Sequence, residues 1–304
     1  MIRVLEPGLL TTVQDCGRWG SQALGVPVAG PMDFVSHRVA NMLVGNDPGC
    51  ATLEVTIIGP MIEFLAETMF AVTGGEFELW LDENSVQANI ARHAQHGSRL
   101  RFGRRTAGAR AYLALAGGID VPSILGSRST DLASGLGGRP LRAGDCLDVG
   151  QAQSRPSVPR QLARVLDPPG GGATLRFLIG PDAVRFSSEA MTVLTHSRYT
   201  VGPDSNRMGY RLMGPALDLA NKQPIVSAAT PSGTIQVPPS GQPILLMVDH
   251  QTTGGYAKIG TVITADLAVA GQLAPGDWVA FEVCEHGEAV TALIAIEQAL
   301  LRPV

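Results

Sequence analysis

Apolar residues fall in short runs broken by glycine and proline, a pattern that predicts strands joined by many turns. The runs that read as strands are 52–58, 69–73, 77–81, 99–102, 111–116, 174–179, 191–195, 234–237, 244–248 and 278–283. Helices are fewer. The segment 31–44 has Pro31 near its first helical position, Asp33 in its first turn and Gly45 just past its end, as helix ends prefer. The segment 289–301 is apolar at helical spacing and is expected to pack the C-terminus down. The predicted class is all-β with few helices.

Residues 151–173 break the strand pattern with Ser154-Arg155-Pro156-Ser157-Val158-Pro159 and Asp167-Pro168-Pro169-Gly170-Gly171-Gly172. They read as a linker between domains at 1–150 and 174–304. The two halves echo each other. Ile58-Gly59-Pro60 precedes Phe64-x-x-Glu67-x-Met69, and Ile179-Gly180-Pro181 precedes Phe186-x-x-Glu189-x-Met191. Each half also ends in a similar turn, Ala143-Gly144-Asp145 and Pro275-Gly276-Asp277. An old duplication of one β unit accounts for both echoes, and Phe64 is expected to superpose on Phe186.

Composition narrows the function. A chain of 304 residues with net charge −4 lacks the basic face that a nucleic-acid partner needs. No apolar run approaches a membrane span and the N-terminus has no signal pattern, so a cytoplasmic protein is expected. Cys16, Cys50, Cys146 and Cys284 are far apart and read as reduced thiols. His93 and His96 read as a surface pair in a loop, with no third ligand at metal spacing, so no metal site is expected.

Chemistry concentrates in Asp249-His250-Gln251-Thr252-Thr253-Gly254-Gly255-Tyr256-Ala257-Lys258. A buried strand that ends in an acid, two hydroxyls and two glycines brings polar groups to one spot. Free N–H groups in such a turn form a nest for a carboxylate or phosphate. Tyr256 and Lys258, two apart, are expected on one face. Lysine is scarce here: only Lys222 and Lys258 stand beside 21 arginines. A compact, titratable ammonium is therefore a candidate functional group, although a Gly-Gly hairpin with a solvated lysine reads the same residues. Elsewhere, Ser205 and Arg207 form a short polar cluster, in which Arg207 suits a two-pronged carboxylate contact or a surface ion pair. Gln236 ends a strand-like run and could read a lactam or ureido group. Asp15, Arg18 and Asp33 lie in loop and helix-start segments, where Asp33 reads first as a cap. There is no phosphate-binding Gly-x4-Gly-Lys-Ser/Thr loop and no Gly-x-Ser-x-Gly elbow.

Gln251-Thr252-Thr253-Gly254-Gly255-Tyr256 with Lys258-Ile259 resembles the signature of the KipA-like family. These proteins are the C subunit of ATP-dependent 5-oxoprolinase, and they are similar to part of the carboxyltransferase region of urea carboxylase. Further motifs agree along nearly the whole chain. They include Gly8-Leu9-Leu10-Thr11-Thr12-Val13-Gln14-Asp15 with Gly17-Arg18, and Gly30-Pro31-Met32-Asp33. Ala116-Gly117-Gly118-Ile119-Asp120-Val121-Pro122, Arg207-Met208-Gly209-Tyr210 and Gly233-Thr234-Ile235-Gln236-Val237-Pro238 follow. His250 stands where no role carries over. The resemblance implies two cyclophilin-like β-barrels in tandem.

For function, the resemblance implies opening of the 5-oxoproline lactam to glutamate with ATP hydrolysis, alongside homologues of the A subunit and a KipI-like B subunit. ATP belongs to the complex. In that reading Asp249 acts as base, while Tyr256, Lys258 and the Gly254-Gly255 amides stabilise an oxyanion or phosphate. Gln251, Thr252, Thr253, Ser205, Arg207, Gln236, Asp15, Arg18 and Asp33 are candidate binding residues. A biotin-dependent carboxyltransferase is the second reading, with Gln236 facing the ureido ring. Biotin would then arrive on a partner, because no Met-Lys-Met is present here. A non-catalytic regulator that binds a KipI-like protein is the third.

Overall fold

A computed structural model describes residues 1–152, 165–221 and 223–301. Most of the expected linker, and Lys222, lie outside the described residues. The protein is mostly β, in two closed or nearly closed barrels. Contacts divide it into two compact units: Met1–Trp19 with Ala29–Gly170 and Leu300–Val304, and Gly20–Val28 with Gly171–Ala299.

The first unit is built on a ten-stranded sheet. Its backbone order is Leu10–Gln14, Thr52–Thr56, Arg99–Leu115, Met61–Phe64, Ile2–Glu6, Cys146–Val149, Ile119–Asp120. Thr68–Leu81 pairs along Arg99–Leu115 and carries Asn84–Val86 and Arg92–Ala94. The two predicted runs at 69–73 and 77–81 are thus one strand, with register shifts between Gly74 and Leu79. Runs 99–102 and 111–116 merge likewise; the polar stretch between them hid the continuity. Inside lie Ile2, Leu53, Ile62, Phe64, Leu100 and Leu113, each fully buried. The helix Phe34–Leu43 starts on Asp33, whose carboxylate accepts from the Ser36 amide at 2.9 Å. Buried Glu54 fixes that start from below, accepting from Tyr112 Oη and from the Met32 amide, both at 2.8 Å.

In the second unit seven strands close into a barrel: Gly172–Ile179, Ala257–Val262, Thr234–Val237, Ile244–Leu246, Gly209–Met213, Tyr199–Val201 and Trp278–Val283. Closure is by parallel pairing of the first with the last. Leu175, Phe177, Tyr199, Ile235, Leu245 and Val279 fill it, all fully buried. The C-terminal helix runs His286–Leu301.

Two expectations are corrected. Segment 191–195 is not a strand but part of the helix Ser188–His196. Ser187 Oγ accepts the Ala190 amide at 3.2 Å, and Ala190 and Leu194, four apart, are the buried positions. The apolar run there has helical spacing that its neighbours obscured. The Phe-x-x-Glu-x-Met echo is also not a structural repeat. Phe64 and Met69 lie in strands, whereas Phe186 follows a 3-10 turn and Met191 is helical.

The Gly-Asp turns do repeat, bond for bond. Gly144 N donates to Val4 O and Val4 N to Asp145 O, both at 2.8 Å; Gly276 N donates to Val201 O at 2.8 Å and Val201 N to Asp277 O at 2.9 Å. Both glycines have positive φ, 90° and 93°. Each aspartate accepts the amide three residues back, Arg142 or Ala274, at 2.8 Å.

Candidate functional site

The polar stretch 249–258 lies in the barrel unit. Gln236 and Lys258 are direct partners in the pairing of Thr234–Val237 with Ala257–Val262, at a register shift. Directly paired side chains share a face of the sheet. Both are buried, at 1% and 5% exposure. The barrel seam clamps Lys258 by its backbone: its amide donates to Asp182 Oδ2 at 3.0 Å, and its carbonyl accepts the Asp182 amide at 3.2 Å. Among the described residues nothing hydrogen-bonds or ion-pairs with its ammonium. Lys258 is thus mostly buried in the barrel wall rather than carried on an exposed turn.

Gln236 Nε2 also lacks a partner among the described residues. Gly254 packs against it so closely that a Cβ there would stand 2.5 Å from this nitrogen. Gly254 belongs to a two-residue strand, Thr253–Gly254, that pairs with Ala228–Ala229. Buried polar groups are normally bonded. The unsatisfied Gln236 amide beneath a glycine, with cationic Lys258 on the same face of the sheet, forms a place for an oxygen acceptor carrying negative charge.

Tyr256 does not share the lysine's face. It precedes the strand, is 46% exposed, and borders a cavity of about 320 Å³ with Leu217, Ile225, Val237, Pro239 and Gly255. The expectation of a shared face assumed strand geometry one residue too early.

Asp249 is not placed as a free base. Arg207 grips it with Nε–Oδ2 at 2.8 Å and Nη2–Oδ1 at 2.9 Å, and the two are 3% and 2% exposed. Arg207 is thus neither a surface residue nor a substrate clamp facing outward. Ser205 is occupied in its own turn, where its hydroxyl accepts the Arg211 amide at 3.1 Å. Gln251 and Thr253 are exposed and Thr252 half-buried. The carbonyls of Gln251 and Thr252 accept from Thr230, through its hydroxyl at 2.7 Å and its amide at 3.1 Å.

The remaining candidates lie in the first unit. Burial pushes the Asp15 carboxyl up. Bonds from the Ser127 and Ser129 hydroxyls and the Arg128 and Gly17 amides outweigh that and hold it below the usual carboxylate range. With so many donors from its own chain, Asp15 organises a loop. Arg18, 1% exposed, donates Nη2 to the Ser129 carbonyl, while its Nε and Nη1 have no partner among the described residues. Asp33 caps its helix, as described. His93 lies in the strand Arg92–Ala94, not a loop, with Nε2 2.8 Å from Glu67 Oε1. Among the described residues no group of three His, Cys, Asp or Glu could hold a metal, and no helix is long and apolar enough to cross a membrane.

Sequence reasoning gave no role to Ser232, Thr230, Asp182 or His250. His250 reaches Ser232 across 18 residues, and only the Pro231-Ser232-Gly233 turn hinted at a positioned hydroxyl.

Known proteins resemble the chain along nearly its whole length. The model of the carboxyltransferase domain, subdomains A and B, matches residues 24–283. The chain is 39% identical over 295 residues to the 5-oxoprolinase C subunit of Escherichia coli, covering 96% of this chain and 94% of that one. It is 36% identical to the Haemophilus influenzae protein of the same name, over 95% and 93%. A crystal structure of the Kluyveromyces lactis urea amidolyase superposes with a TM-score of 0.92 at 32% identity. That match covers 99% of this chain but only 20% of the larger one.

Proposed function

Because the chain belongs to the family of carboxyltransferase domains with subdomains A and B, and matches the C subunit of 5-oxoprolinase nearly end to end, we propose that it serves a multi-subunit 5-oxoprolinase. Its partners in this reading are a homologue of the A subunit and a KipI-like B subunit. The complex opens the lactam of 5-oxoproline to glutamate and hydrolyses ATP. The observation that carries the reading is the unsatisfied Gln236 Nε2 beneath Gly254, with Lys258 paired beside Gln236 in the sheet.

Ring opening adds a water oxygen to the lactam carbonyl carbon and breaks the C–N bond, and the ring nitrogen takes up a proton. Charge gathers on the carbonyl oxygen on the way. A donor and an ammonium aimed at that oxygen act most strongly in a site shielded from water. In the complex, transfer of the ATP γ-phosphoryl group to the lactam oxygen, with ADP leaving, would make the amide a better electrophile, and phosphate would be released as the ring opens. The cavity beside Tyr256 and Gly255 gives the apolar ring carbons a wall. The buried guanidinium of Arg18 is a separate candidate anion contact in the first unit.

A second reading, biotin-dependent carboxyl transfer, is favoured by the likeness to urea amidolyase. The same two donors would meet a ureido or carboxyl oxygen, and biotin would be carried by another chain. Co-expression with homologues of the A and B subunits separates the two. We expect co-elution on size exclusion and ATP hydrolysis that depends on 5-oxoproline. A co-eluting complex that ignores 5-oxoproline but consumes carboxylated biotin would establish the second reading instead. Separate peaks at micromolar concentration would remove the partner assignment.

A further inference from the structure

We infer that Ser232 and His250 form a nucleophile–base pair, making the barrel unit an acyl-transfer site with its own covalent chemistry. The hydrogen-bond geometry points to it. His250 Nδ1 lies 2.7 Å from the Gln251 carbonyl oxygen. A carbonyl can only accept, so the proton sits on Nδ1. In the neutral ring Nε2 then carries the lone pair, and it lies 3.1 Å from Ser232 Oγ. The serine hydroxyl must therefore donate to it. A hydroxyl bonded to a base that a third group orients is the arrangement of an activated nucleophile. Here the third group is the Gln251 carbonyl, which the Thr230 hydroxyl also holds, at 2.7 Å. Burial lowers the proton affinity of His250, against the bond to the Gln251 carbonyl and the pull of the Asp249 carboxylate, itself paired with Arg207.

The turn that carries Ser232 is pinned. Thr234 Oγ1 donates to the Pro231 carbonyl at 2.7 Å, and the Gly233 amide to the Leu246 carbonyl at 2.8 Å. Gly233 has φ of +85°, and a Cβ there would stand 2.8 Å from the Val262 carbonyl oxygen. Ser232 itself is half-buried. The strand that follows carries Gln236. The base, the hydroxyl and an unsatisfied donor thus sit on two short segments, 230–236 and 249–258.

The substrate class is an amide or ester carbonyl. Ser232 Oγ bonds to the carbonyl carbon while its proton moves to His250 Nε2. The C–N or C–O bond breaks and the leaving atom takes that proton. Water then attacks the acyl-serine, again giving a proton to Nε2, and the serine is released. This goes beyond the 5-oxoproline reading and does not depend on it.

The test is labelling of the full chain with a fluorophosphonate, read by peptide mass spectrometry. The serine oxygen bonds to phosphorus, the P–F bond breaks, and His250 takes the proton. We expect one adduct on Ser232, none in Ser232→Ala, and labelling slowed by about 10²-fold or more in His250→Gln. An unlabelled Ser232, or an unchanged rate in His250→Gln, would overturn the inference. Ser232→Cys gives a reading that does not need the histidine variant to fold. Its alkylation by iodoacetamide should titrate below the free-thiol value of about 8.5. A thiol with an ordinary profile would also overturn the inference. Neither readout uses 5-oxoproline turnover, so failure here leaves the proposed activity standing, and the reverse.

Discussion

Arg207 and Asp249 face each other as parallel forks, two bonds at 2.8 and 2.9 Å, in a buried part of the barrel unit. A carboxylate held on both oxygens by a guanidinium is a poor proton acceptor and a strong anchor. It fixes the start of the 249–258 stretch to the Arg207 turn. The Asp249 amide also donates to the Arg207 carbonyl, at 2.9 Å. Asp249→Ala should therefore act on stability, by about 3–5 kcal/mol, because it strands a buried guanidinium. Urea denaturation measures it. Pairing it with Arg207→Met should recover much of the loss. An Asp249→Ala protein that is inactive but melts normally would return this residue to the role of base.

Lys258 is expected to behave in the opposite way. Lys258→Met keeps the unbranched stem and breaks no bond seen among the described residues. Its melting should match the parent. Activity of the reconstituted complex should drop about 10²- to 10³-fold in kcat, the usual loss for one oxyanion donor. Lys258→Arg should rescue poorly, since the planar fork is larger than the space an ammonium fills. Full turnover in Lys258→Met would remove the lysine from the site.

Gly254 and Gly255 make a matched pair. A Cβ at Gly254 would stand 2.5 Å from Gln236 Nε2, while one at Gly255 would meet nothing nearer than Ser227 Oγ at 3.3 Å. Gly254→Ala must displace the amide end of Gln236, and a misplacement of this size costs roughly 10²-fold in rate. Gly255→Ala should cost far less. Steady-state kinetics on both variants decides this, and equal losses would mean that the Gln236 amide is not part of the chemistry.

His37 sets an acid limit. It is fully buried on the helix Phe34–Leu43, with Nδ1 3.0 Å from Thr52 Oγ1. Burial pushes its pKa down to about 4, outweighing the opposing pull of the Asp15 and Glu54 carboxylates. The unfolded chain, with histidine near 6.5, then binds the extra proton between these values. Stability from this group is complete above about pH 6.5 and falls as pH drops toward 4, by up to about 3 kcal/mol. Urea unfolding between pH 4.5 and 8 should show that slope, and His37→Gln should flatten it by one proton. An identical slope in the variant would place the acid sensitivity elsewhere.

Local signals were legible where the physics is local. The Asp33 cap, the run 234–237 and the Gly-Asp turns all depend on residues within a few positions of one another. Each appears in the structure as the sequence spells it. The β class followed from glycine and proline spacing for the same reason. The helix at Ser188–His196 was misread because four-residue burial spacing is ambiguous in a short apolar run until a neighbouring surface selects a face. What the stretch 249–258 could do was decided only by pairings across the chain. The Arg207 fork turned a candidate base into an anchor. Barrel register set Gln236 against Lys258 and buried most of that lysine. A turn 18 residues away brought Ser232 to His250. The sequence by itself determined which polar groups were available and that turns would gather them. Which of them stay unsatisfied, and so able to meet a ligand, only tertiary structure decided, because a group's partners in a barrel are chosen by strand register rather than by distance along the chain.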